Sequence, residues 1–145
     1  YLTARRYVSE FEPQEKNISV AIGSMFPDVG DFPVSEVTFE VAYWRKANAI
    51  HNWFVKNVQN GNDDCEEYYV PREKLDKLLN TVRLVLNSCT DQVAADNLPT
   101  MEGFFFGGTE YDEWYHRSLE YTVEMLEKVL ALPPYTYSFY YHSSW

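Results

Sequence analysis

The stretch that decides the reading is Tyr43–Asn60, YWRKANAIHNWFVKNVQN. Apolar residues recur at Trp44, Ala47, Ile50, Phe54, Val55 and Val58, close to the 3.6-residue period of a helix that buries one stripe. Gly61 follows, where a glycine that closes a helix belongs. The spacing therefore predicts a helix over 43–60. Arg45, Asn48 and Asn52 fall at i, i+3 and i+7 and form a polar strip beside the apolar one. Arg45, Lys46 and Asn48 stand among Tyr43, Trp44, His51 and Trp53. One helix is expected to supply both core and site. Trp44, Ala47, Phe54 and Val58 should be buried, with Arg45 and Asn48 partly exposed in a shared cleft.

Upstream, Tyr1–Phe11 fits a strand or a short helix. Ile18, Val20 and Ile22 alternate within Asn17–Ile22, the pattern of a half-buried strand. Ser24–Pro33 holds Pro27, Gly30 and Pro33 and reads as a loop. Val34–Val41 reads as a second strand that feeds the helix. Downstream, Gly61–Val70 is a turn followed by an acidic, aromatic segment. Leu75, Leu78, Leu79, Val82, Val85 and Leu86 predict an amphipathic helix over Arg72–Ser88, with Pro71 at its start. Thr90–Glu102 reads as a loop. Thr109 and Asp112 have the spacing of a capping box and predict a third helix running to Leu130. Tyr135–Trp145 alternates aromatic with small or polar residues, as a strand does. These elements segregate rather than alternate. The expected class is α+β, three main helices with a small, mostly antiparallel sheet, in a single domain over 1–145.

The formal net charge is −10 and the sequence pI about 4.6. So acidic a chain does not attract duplex nucleic acid or an anionic membrane through its general field. Against that background the paired cations Arg5-Arg6 and Arg45-Lys46 suit a small anion better than a long polyanion. Aromatic residues make up 17% of the chain, enough to furnish stacking surfaces or interfaces besides a core. That surplus points to a homodimer or a higher homo-oligomer. No stretch has the roughly 18 apolar residues of a membrane span, and no signal peptide is evident. Cys65 and Cys89 lack metal spacing and read as reduced thiols, with one buried disulfide as the alternative.

Three places could carry chemistry. The run Phe104–Thr109, FFFGGT, sets glycines before an expected helix start, where free amides and the helix dipole favour an anion. It lacks the lysine of a phosphate loop. Asp63, Asp64, Glu66 and Glu67 with His51 could do acid/base work or hold a metal, although carboxylates in loops are usually solvated. The aromatic tail, with Tyr137, Phe139, Tyr141 and Trp145, could stack bases, dock on another subunit or fill a core. The expected ligand-binding set is Trp44, Arg45, Lys46, Asn48, His51, Phe105, Thr109 and Tyr111. No cofactor, metal or catalytic residue is expected.

Four segments, YWRKANAIHNWFV (Tyr43–Val55), GNDDCEEY (Gly61–Tyr68), GFFFGGTEYDEWY (Gly103–Tyr115) and FYYHSSW (Phe139–Trp145), resemble a widespread family of small tailed-bacteriophage proteins. The resemblance covers about the last two thirds of the chain and brings no catalytic residue set. It implies a phage accessory protein in the cytoplasm of an infected bacterium. By analogy with small phage proteins that counter host immunity, it suggests a sponge for a cyclic-nucleotide signal.

Three functions follow. The first is non-catalytic binding of a small nucleotide, in which cations meet phosphate, aromatics meet bases, and Asn or His meets base edges. The second is an acidic protein-interaction inhibitor or DNA mimic. The third is a nucleotide or phosphoester hydrolase that uses His51 and the Asp63–Glu67 carboxylates.

Overall fold

The structure, a computed structural model, describes residues 1–88, 90–103 and 108–144. In chain order it runs β1 (Leu2–Tyr7), α1 (Pro13–Met25), a 3-10 turn (Pro27–Val29), β2 (Glu36–Ala42) and α2 (Asn48–Asn57). It continues with β3 (Tyr68–Val70), α3 (Arg72–Ser88), α4 (Asp91–Asn97), α5 (Glu113–Leu130) and β4 (Ser138–Tyr141). The strands form one sheet in the order β2-β1-β4-β3, and every pairing is antiparallel. The α+β class is as expected. The helices are more numerous, five α-helices among the described residues.

The core lies between the sheet and the helices. Leu2, Ala4, Val70, Phe139 and Tyr141 are buried on the strands. Leu2 stands opposite Tyr141, Ala4 opposite Phe139, and Val70 opposite Phe139, so one register sets these side chains side by side. α3 buries Leu75, Leu78, Leu79, Val82 and Val85, the stripe that its sequence predicts. α5 buries Tyr115, Leu119, Thr122, Leu126 and Val129, again one stripe at helical spacing. α3 and α5 pack against each other, and Phe54 of α2 stacks on Tyr141.

Four local expectations are corrected. Asn17–Ile22 lies within α1, not in a strand. Pro13 occupies its first turn with Glu15 behind it, and Ile18 and Ile22 are one turn apart, half-buried, while Val20 faces solvent. Three alternating residues do not separate a period of two from a period near four. The helix expected from Tyr43 starts at Asn48, because Lys46 takes the left-handed φ of 60° and no helix passes through it. Thr90–Glu102 contains α4, whose first turn is capped by the Thr90 hydroxyl accepting from Val93 N. α5 is capped by the Asp112 carboxylate, which accepts from Tyr115 N at 3.0 Å, and Thr109 lies in a bend before it.

Candidate functional site

The site is built on the β2–α2 connection, Tyr43–Ala47. Its two ends are fixed by regular structure, and its middle is tied to α5. Tyr43 N donates to Tyr121 Oη at 3.1 Å, and Trp44 Nε1 donates to Thr122 Oγ1 at 2.9 Å. Thr122 donates onward to the Ser118 carbonyl at 2.6 Å. The Trp44 ring packs on Phe54 and, edge-on, on Tyr121. With Trp44 anchored and half-buried, Arg45 and Lys46 are left exposed beyond it.

The connection forms a wall shared by two adjoining cavities. The larger, about 580 Å³, is lined by Tyr43–Ala49, by Gly108, Glu110 and Asp112, and by one face of α5. That face presents Trp114, Arg117, Ser118 and Tyr121. Arg45, Lys46 and Arg117 set three cations there against two carboxylates, Glu110 and Asp112. The Asp112 carboxylate is engaged as a helix cap. Trp114 is 75% exposed, and the Arg117 guanidinium lies over its ring at 5.5 Å. Arg117 also pairs with Glu113 on the exposed surface, a contact of small energetic worth.

The smaller cavity, about 300 Å³, lies on the other side of the connection and is lined by Tyr1, His51, Tyr141, Ser143 and Ser144 as well. The buried His51 ring bridges Tyr141 Oη, 2.8 Å from Nδ1, and Asp63 Oδ1, 2.9 Å from Nε2. Because a carboxylate only accepts, the neutral ring carries its proton on Nε2 and accepts from the Tyr141 hydroxyl at Nδ1. Burial, and secondarily the nearby Asp63 charge, push the Tyr141 hydroxyl well above the usual phenol range. Tyr141 is thus a hydrogen-bond donor at neutral pH.

The expected site residues divide accordingly. Trp44, Arg45 and Lys46 line both cavities. Asn48 lines the larger one; it is buried, and its Nδ2 donates to the Gly108 carbonyl at 2.9 Å. His51 lines the smaller one. Tyr111 is half-buried with its ring edge-on to Tyr115, and it lines neither cavity. Thr109 is exposed, accepts from Thr100 Oγ1 through its carbonyl and also lines neither. Phe105 and the rest of Phe104–Gly107 lie outside the described residues, as do Cys89 and Trp145.

Set against known proteins, the chain matches no protein-family model, no curated protein and no solved structure.

The acidic segment after α2 is largely engaged within the protein. Asp63 holds His51, Asp64 accepts from the Tyr68 hydroxyl and from Glu66 N, and Glu67 pairs with Arg5. Among the described residues no group of three or more His, Cys, Asp or Glu is placed to hold a metal ion. Cys65 is a free, exposed thiol.

Trp114, Arg117 and Tyr121 were not singled out from the sequence as ligand contacts. A signal was present: they recur at i, i+3 and i+7 on α5, opposite in character to the buried stripe. Of the Asp63–His51–Tyr141 bridge the sequence suggested the pairing of His51 with the Asp63 segment, but not the link to Tyr141, which β4 brings in from the far end of the chain.

Proposed function

We propose that the chain binds a small phosphorylated nucleotide in the larger cavity and holds it without turning it over. The observation that carries this reading is the gathering of Arg45, Lys46 and Arg117 with Tyr43 and Trp114 around one cavity of about 580 Å³, on a chain of net charge −10. Cations supply charge-assisted hydrogen bonds to phosphate, each about 1.5–3 kcal/mol. An exposed aromatic face supplies about 1–3 kcal/mol per stacked base. Two of each total about 5–12 kcal/mol before the cost of association, which is compatible with a micromolar binder. Arg45 has the planar fork suited to phosphate, and Lys46 acts as a point charge.

Retention without turnover is supported by the placement of His51, which lines the smaller cavity and not the larger one. The resemblance of four segments to tailed-phage proteins supports a setting in the infected bacterial cytoplasm. There the ligand would be an immune signal, cyclic nucleotides included, removed by sequestration.

Calorimetry against a panel of linear and cyclic nucleotides tests the reading, with Arg45→Ala and Trp114→Ala beside the wild type. Binding should weaken in both variants, and the ligand should be recovered intact after denaturation. The reading fails if no nucleotide binds more tightly than about 100 μM, a free energy of roughly 5–6 kcal/mol. It also fails if Arg45→Ala leaves a measured affinity unchanged.

A second reading has its own observation, the Asp63–His51–Tyr141 chain beside the smaller cavity. Through it His51 would accept the Tyr141 proton at Nδ1 as the Tyr141 oxygen attacks the phosphorus of a phosphoester, and would return that proton to the leaving oxygen. Turnover of a bound nucleotide that is lost in Tyr141→Phe would favour it.

A further inference from the structure

Residues 8–35 leave the sheet between β1 and β2 and return as an arm. Its base is closed by Val8 N donating to Ser35 O at 2.9 Å, by Ser9 N donating to Glu15 Oε2 at 2.7 Å, and by the Arg6–Glu15 pair. Inside the arm, Val34 N donates to Ser19 Oγ at 2.8 Å. α1 meets the turn that follows it where Gly23 and Gly30 touch backbone to backbone: a β-carbon on Gly30 would lie 3.0 Å from the Gly23 carbonyl oxygen. From Ser9 onward, no residue of the arm joins the hydrophobic core of the body. Within α1 only Gly23 is buried.

The arm is also where exposed apolar side chains concentrate. Phe11, Val20, Met25, Phe26, Val29 and Phe32 are each more than half exposed, and they fall within 11–32. Helices of this length are marginal in water unless a face is buried against something. The three phenylalanines offer roughly 300–500 Å², taking about 150–250 Å² for a whole aromatic ring. Val20, Met25 and Val29 add to that exposed apolar area, against the ~800 Å² per partner of a standard interface. A monomer's largest apolar patch is about 300–600 Å².

We infer that this arm is a dimerisation element, and that it packs on the same arm of a second copy about a twofold axis. Charge selects that occupant. Each copy carries −10, so two copies repel wherever acidic surfaces meet. Asn17–Gly30, NISVAIGSMFPDVG, contains a single ionisable residue, Asp28. Glu10, Glu12 and Asp31 flank Phe11 and Phe32, so Asn17–Gly30 is the stretch on which like-charged copies can meet with little like-charge opposition, and an apolar stretch of this kind can be complementary to itself. A basic protein or a nucleic acid would find too little charge on it. β2, which leads out of the arm, is an edge strand paired only to β1, with Thr38, Phe39 and Glu40 exposed. The inference does not depend on nucleotide binding.

Light scattering on the full chain at micromolar concentration should give twice the chain mass of 17.1 kDa. Met25→Lys combined with Phe26→Lys should halve that mass and leave the circular dichroism spectrum unchanged, since both side chains are exposed. Val29→Lys combined with Phe32→Lys does the same outside α1, in case the first pair disturbs the helix. Leu84→Lys, at an exposed apolar position on α3, should leave the dimer intact. Amide exchange over 13–29 should slow as wild-type concentration rises. A wild-type mass of one chain, or a dimer that survives both double substitutions, overturns the inference. A single-chain mass with an arm cut rapidly by protease would assign the patch to a different partner.

Discussion

The rings of Phe54 and Tyr141 lie face to face, with centroids 3.9 Å apart and planes 5° apart, so the middle of α2 rests directly on β4. One turn earlier on the same helix, His51 takes the hydroxyl of that tyrosine. Helix and strand are joined by both ends of one side chain, its ring and its oxygen. Phe54 is wholly buried, and Trp44, which carries the cavity wall, packs beside the stacked pair, against both rings. Phe54→Ala should therefore cost about 3–5 kcal/mol in urea unfolding. It should also weaken ligand binding through Trp44. A loss below about 1 kcal/mol would mean that the ring is not the anchor described.

Alkaline pH should destabilise the fold through Tyr141. Its folded hydroxyl titrates above the ordinary phenol value of about 10, because of burial first and Asp63 second. Below about pH 10 both states hold the proton and the contribution is intact. Above it the unfolded chain releases its proton first, the folded chain binds more protons, and stability falls as pH rises. The slope from this residue is about 1.4 kcal/mol per pH unit until the folded group also ionises. Tyr115 acts in the same direction, raised chiefly by burial and further by Tyr111. Unfolding midpoints measured from pH 8 upward should fall more shallowly in Tyr141→Phe. An unchanged slope would contradict the assignment.

Gln59 is fully buried just past the end of α2, and neither its Nε2 nor its Oε1 has a hydrogen-bond partner among the described residues. An unsatisfied buried polar group costs about 1–3 kcal/mol. Methionine matches its length and removes both polar atoms. Gln59→Met should raise stability by about 1–3 kcal/mol at unchanged denaturant slope. Destabilisation would show that the amide is satisfied.

Lys46 holds a left-handed φ of 60° where the chain turns from β2 into α2. That conformation costs a side-chain-bearing residue about 1–2 kcal/mol, and glycine escapes it at an entropic cost of about 0.5–1 kcal/mol. Lys46→Gly should therefore leave stability unchanged or raised by up to about 1 kcal/mol, while removing a cation from both cavities. Reduced nucleotide affinity in a fold of equal stability would separate the charge from the backbone. A clear loss of stability would mean that the lysine side chain holds the turn.

What the sequence disclosed followed from periodicity. α3, with an unbroken stripe from Leu75 to Val85, lies where its spacing places it. β4 falls within the stretch expected to hold it, and β2, Glu36–Ala42, overlaps the expected Val34–Val41 and ends one residue later. The failures were local conflicts. Trp44 and Ala47 continue the period of α2 backwards, but the backbone reversal at Lys46 depends on tertiary anchoring of Trp44 to Thr122, which no local pattern encodes. Thr109 has a capping spacing, yet Asp112, a stronger acceptor nearer the apolar run, takes the role. For the site, the cations and Trp44 were legible because they are odd on an acidic chain. Trp114 and Arg117 were hidden in an ordinary-looking helix face, and their meaning comes only from what α5 faces.

The strand order β2-β1-β4-β3 places the last strand of the chain between the first and the third. Leu2 to Arg5 find their second neighbour only in Ser138 to Tyr141, across almost the whole chain. A polypeptide emerging from the ribosome can join β1 to β2 and fold the intervening arm, whose contacts are local. It cannot close the sheet until Ser138–Tyr141 has been made, and loop closure over that span is slow. Until then the nascent chain must carry β1 and β3 with open edges, and its arm is available to neighbouring nascent chains before its own body exists.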